Sequence, residues 1–219
     1  MLLRPDGDDV LCIGQASHAW ISGQIARAWA EPFEPHEEVC LAAEQHDVGM
    51  AEWDLSPSLN PETGLPHAFT EMPFEVHSAL WLEAPRKLVT TSAYAAALVS
   101  LHGTRLYELR EPTAAIEEYL GRQEEFRRAL GFAREDLEPG STLVWIWDYL
   151  SLAFILGWEG EVEGLAVSGL DVSPWPFGET SVTFRCEARR LRGRFSDEGE
   201  MRQALAAAPV EPFLLELAV

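Results

Sequence analysis

Apolar side chains recur at helical spacing through the first 157 residues of the chain. Residues three and four apart lie on one face of a helix, so this pattern predicts amphipathic helices that bury one stripe. The predicted helices begin near Ser17, Pro35, Pro73, Ser92, Pro112 and Thr142. The second reaches about Trp53, the last ends before Gly157, and residues 55–72 form a long ordered loop.

The pattern changes to an alternation after residue 157. Val182, Phe184 and Cys186 alternate with polar residues, which predicts a strand, and Phe213 to Val219 predicts another. A short strand from Val10 to Gly14 precedes the first helix. We therefore expect a mainly α fold: a helical domain over residues 1–157, with a β-containing extension over residues 158–219 packed on it (α+β overall).

The charge of the chain limits its partners. Lys and Arg number 16 against 36 Asp and Glu, a formal net charge of -20. Such a surface repels polyphosphates, so we expect no nucleic-acid partner and no membrane partner. Three distant cysteines without a C-x-x-C motif are typical of a reduced, cytoplasmic protein. The apolar stretch from Thr142 to Trp158 is shorter than the roughly 20 residues of a membrane span.

Four of the six histidines lie on apolar stripes of predicted helices: His18, His46, His77 and His102. Any one of them alone is more often a hydrogen-bonded core histidine than a ligand. Four from four separate helices instead indicate a metal site, because imidazole is the commonest metal ligand and helical bundles build such sites from inward side chains.

Two carboxylates strengthen that prediction. Asp148 lies among tryptophans and aliphatic residues, and a buried carboxylate needs a cation or several hydrogen-bond donors. An ion pair, or hydroxyl groups of Tyr149 or Ser151, would meet the same need. Asp47 directly follows His46, so the two side chains point about 100° apart on a helix and can approach one ion. Gly49 and Gly103 predict open space beside these ligands.

The order His18, His46-Asp47, His77, His102, Asp148 resembles the signature of the HD-domain superfamily. The resemblance covers about residues 15–157. The strings QHDVGMAEWD and LHGTRLY are similar to a bacterial branch without an assigned activity. The resemblance implies an HD-like helical core in which His18, His46, Asp47 and Asp148 bind a divalent transition metal. His77 and His102 match the ligands of a second ion. One or two ions of Fe, Mn, Co, Ni or Zn suit this ligand set.

Most of that superfamily hydrolyses phosphoesters. The resemblance therefore implies a hydrolase of a small phosphorylated molecule, of the phosphomonoesterase, nucleotidase or phosphodiesterase type, that uses metal-activated water. Asp47, with Glu52 and Asp54 close to its stripe, would be the catalytic carboxylates. Arg105 lies one turn after His102 and would hold a phosphate oxygen.

Two other functions stay open. The same histidines occur in di-iron oxygenases of the HD type, which need no basic residues for phosphate. A non-enzymatic metal-binding or ligand-binding module is the other alternative. Five arginines between Arg185 and Arg194 balance the acidic body, within the chain or across a subunit contact, so a homo-oligomer also stays open.

Overall fold

The computed structural model describes residues 1–219 and corrects the predicted fold class. Helices make up 52% of the chain and strands 21%, in three sheets with strands at both ends. The expectation of a mainly helical HD-like core is therefore wrong, and the fold is α+β. Two of the strands, Leu2–Asp6 and Glu159–Val162, were not predicted, because they contain Pro, Gly or acidic residues, which are uncommon in strands.

The fold contains eight α-helices and three short 3₁₀ turns. The α-helices are α1 (Gln15–Ala28), α2 (His36–Gln45), α3 (Ala51–Leu55), α4 (Phe74–Glu83), α5 (Ala93–Glu108), α6 (Ala114–Ala129), α7 (Arg134–Leu156) and α8 (Glu198–Ala207). The 3₁₀ turns are Val48–Met50, Phe69–Glu71 and Pro85–Leu88. The predicted second helix is thus divided after Gln45, and the predicted sixth begins earlier than Thr142.

Nine strands complete the fold. They are β1 (Leu2–Asp6), β2 (Asp9–Ile13), β3 (Leu59–Asn60), β4 (Leu65–Pro66), β5 (Glu159–Val162), β6 (Leu165–Ser168), β7 (Asp171–Ser173), β8 (Ser181–Leu191) and β9 (Val210–Ala218). The largest sheet has the order β1-β2-β8-β9, and every neighbouring pair is antiparallel. Pairs such as Cys12↔Arg189 therefore join the start of the chain to the region beyond residue 157.

Residues at the helix ends define where the central helices begin and end. Ser92 accepts a hydrogen bond from the backbone N–H of Ala95 at 3.1 Å and so caps α5, the helix predicted to begin near this residue. Gly157 follows α7 with φ of 70°, as its predicted C′ role requires. Ser17, in contrast, does not cap α1, which begins two residues earlier behind Gly14.

Helix α7 runs through the middle of the molecule. Its length and composition would allow it to cross a membrane, but 61% of its most apolar window is buried inside the fold. It contacts α1, α2 and α5 and carries the fully buried Trp147. This is the burial of a core helix in a soluble protein, and it brings one face of α7 against the polar side chains of three neighbouring helices.

Candidate metal centre

Four elements bring the central polar side chains together. His18 comes from α1, His102 from α5 and Asp148 from α7, whereas His46 and Asp47 follow the last residue of α2. The predicted helix through His46 and Asp47 is interrupted, because Asp47 leaves helical geometry with φ of -99° and ψ of 15°. Both side chains nevertheless point inward, since the following 3₁₀ turn packs against α1 and α4.

The polar atoms lie close to one another. His18 Nε2 is 2.6 Å from Asp47 Oδ2, and His46 Nε2 is 3.3 Å from Asp148 Oδ1 and 3.7 Å from Asp47 Oδ2. Donors that share an ion at about 2 Å lie about 3 Å apart, so these separations fit one ion. All four residues are buried. His18, His46 and Asp148 thus form a buried cluster that could hold a metal ion.

Hydrogen bonds behind the cluster orient both imidazoles. His46 Nδ1 donates to the carbonyl of Ala43 at 2.8 Å, which leaves Nε2 as the inward atom. Ser151 donates to the carbonyl of Asp148 at 2.8 Å, so its oxygen accepts from His18 Nδ1 at 3.0 Å. His18 Nε2 is then the atom that faces Asp47. Metal-ligating histidines are fixed in the same way by a donor bond from the other ring nitrogen.

The charges in the cluster are unbalanced. Neither Asp47 nor Asp148 forms an ion pair with Lys or Arg. Burial lowers the pKa of His46, but the two carboxylates outweigh burial and raise this pKa to about 9. Burial would raise the pKa of Asp148, whereas His46 and His102 hold it well below its usual range. Within the chain itself, the imidazoles are therefore the side chains that can place a positive charge against the two carboxylates.

His102 lies at the other side of Asp148. Its Nε2 is 3.4 Å from Asp148 Oδ2, and its Nδ1 is buried without a hydrogen-bond partner. Trp81 and Trp145 enclose the ring, with centroid distances of 5.5 and 5.7 Å. Burial lowers the pKa of His102, so the imidazole is neutral, which is the form that binds metals.

His77 lines the same cavity but is not free to bind a metal as placed. Its Nδ1 is hydrogen-bonded to the hydroxyl of Tyr107, and its Nε2 accepts from the indole of Trp81 at 3.1 Å. Burial lowers its pKa to about 4, so this neutral ring joins two aromatic residues. The predicted ligand role of His77 would therefore require both of these hydrogen bonds to break.

Glu52 and Asp54, the other predicted catalytic carboxylates, do not line the cavity above the cluster. Because the helix is interrupted after α2, Asp47 and α3 do not belong to one continuous helix. Glu52 is exposed and pairs with Lys87 at 3.2 Å. Asp54 pairs with the N-terminal ammonium of Met1 at 2.9 Å and faces a different cavity.

Arg105, the expected substrate-binding residue, points elsewhere. It pairs with Glu163 at 3.2 Å and lies over the ring of Trp145, and it does not line the cavity. Arg110, just beyond the end of α5, lines the cavity instead. Gln15 was also missed: its Nε2 donates to Asp47 Oδ2 at 3.2 Å, and its buried Oε1 has no partner. No local sequence signal identifies either residue.

The cavity above the cluster has a volume of about 220 Å³. Its walls are formed by the cluster and by Gln15, Phe69, Thr70, His77, Trp81, Leu106, Arg110 and Leu152. Gly49 and Gly103 do not provide this space. A Cβ at Gly49 would lie 2.6 Å from the carbonyl oxygen of Leu80, and one at Gly103 would lie 2.8 Å from the ring of Trp81. Both glycines permit close packing.

Fold and site together define an α+β protein with a buried histidine–carboxylate cluster beneath a small cavity. The chain belongs to the family described as protein of unknown function DUF3891, whose model matches residues 1–193. This match extends beyond the helical region and includes β8. No curated protein and no solved structure matches the chain.

Proposed function

We propose that the protein is a metal-dependent hydrolase of a small phosphoester. The observation that carries the proposal is the pair of buried carboxylates, Asp47 and Asp148, which face three imidazoles and no Lys or Arg partner. A divalent ion at such a site lowers the pKa of a bound water and polarises a phosphoryl oxygen, which is the chemistry of phosphoester hydrolysis. The resemblance of the ligand order to the HD-domain superfamily supports the same chemistry.

His18, His46, Asp47 and Asp148 would hold the ion. Mixed imidazole and carboxylate ligands suit Fe, Mn, Co, Ni or Zn. The geometry favours one ion over two, because a second ion beside His102 would need His77, and both nitrogens of His77 are occupied. The same observation weakens the di-iron oxygenase alternative.

Two side chains around the cavity would contact a substrate, one beside the cluster and one at the mouth. Gln15 donates one hydrogen bond to Asp47, and its Oε1, which has no partner in the chain, would accept a hydrogen bond from a substrate or a water. Arg110 lies at the mouth, over the ring of Tyr107 at 5.0 Å, and supplies a positive charge for a phosphate oxygen. The volume is below the roughly 300 Å³ of sites for drug-sized ligands, so the substrate is small.

Hydrolysis of an aryl phosphate, measured after chelation and addition of Mn, Co or Ni, tests the proposal. We expect activity that depends on the added metal and disappears in Asp148→Asn. Arg110→Gln should raise KM about tenfold, the loss expected for one charged hydrogen bond. Arg105→Gln removes the same charge nearby and should leave KM unchanged.

A panel of small phosphoesters that stays silent with every metal contradicts the hydrolase proposal. If the protein still binds metal in that case, the result favours a metal-binding module.

A further inference from the structure

A second group of polar residues lies on the opposite face of α5. Ser100 and Thr104 are each two positions from His102, which places them about 200° around the helix from it. Between them lies the side chain of Arg127 from α6, which is only 5% exposed and has no carboxylate partner. A buried guanidinium without a counter-charge is rare, because removing it from water is costly.

Two hydroxyls fix the orientation of Arg127. Its Nη1 donates to Ser100 Oγ at 3.0 Å and to Thr104 Oγ1 at 2.8 Å. Each hydroxyl uses its own hydrogen elsewhere: Ser100 donates to Gln123 Oε1 at 2.7 Å, and Thr104 donates to the carbonyl of Ser100 at 3.0 Å. Both hydrogens of Nη1 are thus used, while the edge formed by Nε and Nη2 makes no hydrogen bond. That edge is the one that binds a carboxylate through two parallel bonds.

Arg127 lines a cavity of about 910 Å³ between the end of α5, α6 and the start of α7. The other arginines there already have partners: Arg128 pairs with Glu124, and Arg134 pairs with Glu108 and Glu138. Glu117 and Glu135 also line the cavity and form no ion pair. The charges left without a partner are therefore one oriented guanidinium and two carboxylates.

We propose that this cavity is a binding site for a small zwitterion. Arg127 would bind the carboxylate of the ligand, and Glu117 or Glu135 would attract its cationic group. A polyanion is a poor occupant, because four glutamates surround the three arginines of the cavity. The site is separate from the metal centre, so its test does not depend on the hydrolase proposal.

Calorimetric titration with three matched probes tests the site. We expect saturable binding of 6-aminohexanoate, weaker binding of hexanoate and no binding of hexylamine. Arg127→Met should reduce the affinity for 6-aminohexanoate about tenfold or more, as expected for a lost bidentate pair. Arg122→Met is the control, because it removes an exposed arginine of the same helix that does not line the cavity.

A second variant leaves Arg127 and its hydroxyl partners in place. Gly121 lines the cavity, and a Cβ there meets nothing within 4 Å, so Gly121→Phe has open space for its first side-chain atom and narrows the cavity. We expect it to abolish binding while the melting temperature stays near that of the parent, and Asp148→Asn to bind normally. The proposal is overturned if 6-aminohexanoate gives no saturable heat, or if its binding survives Gly121→Phe unchanged.

Discussion

The two faces of α5 each hold buried charged groups without an oppositely charged Lys, Arg, Asp or Glu partner, and the unpaired charge is negative on one face and positive on the other. Around His102, two buried carboxylates meet imidazoles but no Lys or Arg. Around Ser100 and Thr104, a buried guanidinium meets hydroxyls but no carboxylate. Each face holds polar groups in fixed positions and leaves a charge that the chain does not neutralise. The sign of that charge indicates the ligand: a cation on one face and a carboxylate on the other.

The two faces also differ in how the chain lowers the free-energy cost of burying a charged group. On the first face, a proton on His46 offsets the carboxylates, and a metal ion can displace this proton. On the second face, Arg127 cannot lose its charge at neutral pH, so the chain provides oriented hydroxyl acceptors and an open cavity. The proposed metal site therefore lies where a proton can be exchanged, and the proposed zwitterion site lies where the charge is permanent.

The largest expected effect is the loss of metal from Asp148→Asn. The substitution keeps the size of the side chain but removes the charge that faces His46 and His102. We expect the affinity for Mn or Zn to fall at least about a hundredfold, beyond the 10- to 100-fold usual for changes behind the ligands. Elemental analysis and competition with a chelating dye measure this.

Glu138→Gln is the matched control for that experiment, because it removes an exposed carboxylate from the same helix. If the metal content of Asp148→Asn equals that of the control, the unbalanced charge around His102 is not a metal site.

The next effect is on stability. A metal that binds only the folded chain adds about 2.7 kcal/mol to the free energy of unfolding at a hundred times its dissociation constant. We expect chelation to lower the denaturation midpoint of the parent by this order and to leave that of Asp148→Asn unchanged. Urea titrations with and without chelator provide the measurement. An equal loss in both proteins would attribute the effect to a different ion or to the chelator.

Substitutions of His102 and His77 distinguish a residue that contacts the metal site from one that only supports the fold around it. His102→Ala should lower metal affinity about tenfold, because its Nε2 lies beside Asp148. His77→Ala should leave metal affinity unchanged but lower the free energy of unfolding by about 1–3 kcal/mol, since Trp81 and Tyr107 lose their hydrogen-bond partner. Equal metal loss in the two variants would restore His77 as a ligand and favour two ions.

These two faces were not equally visible in the sequence. Histidine and aspartate are unusual on an apolar stripe, so the sequence indicated His18, His46, His102 and Asp148 as inward residues. Arg127 lies in the polar string EEFRRAL, where nothing distinguishes it from the exposed Arg128. Its burial depends on how α6 packs against α5, which helical periodicity does not determine.

The differences between predicted and observed elements have a similar cause. Residues 45–54 keep a helical pattern, so the interruption at Asp47 was not visible, and the continuous helical stripe expected to join Asp47 to Glu52 and Asp54 does not form. The hairpin of β1 and β2 joins the sheet through β8, which lies far along the chain. Strand pairing of this kind depends on non-local contacts and leaves little local signal in five residues that include Pro and Asp.

The last expected effects come from one glycine in each of the neighbouring helices α5 and α6. Gly103 of α5 packs against Tyr119 and Trp81, and an added Cβ would lie 2.6 Å from the tyrosine oxygen. Both aromatic rings are buried, so neither can move freely, and Gly103→Ala should lower the free energy of unfolding by about 1–3 kcal/mol. Gly121 of α6 borders the open cavity instead, so Gly121→Ala should gain about 1 kcal/mol from helix propensity alone. Urea denaturation of the two variants measures both changes in the free energy of unfolding. Opposite signs are the expected result, because the same methyl group enters a filled interface in one variant and open space in the other. A loss of stability in Gly121→Ala would mean that the cavity beside Arg127 closes in solution, and a closed cavity could not admit a zwitterion.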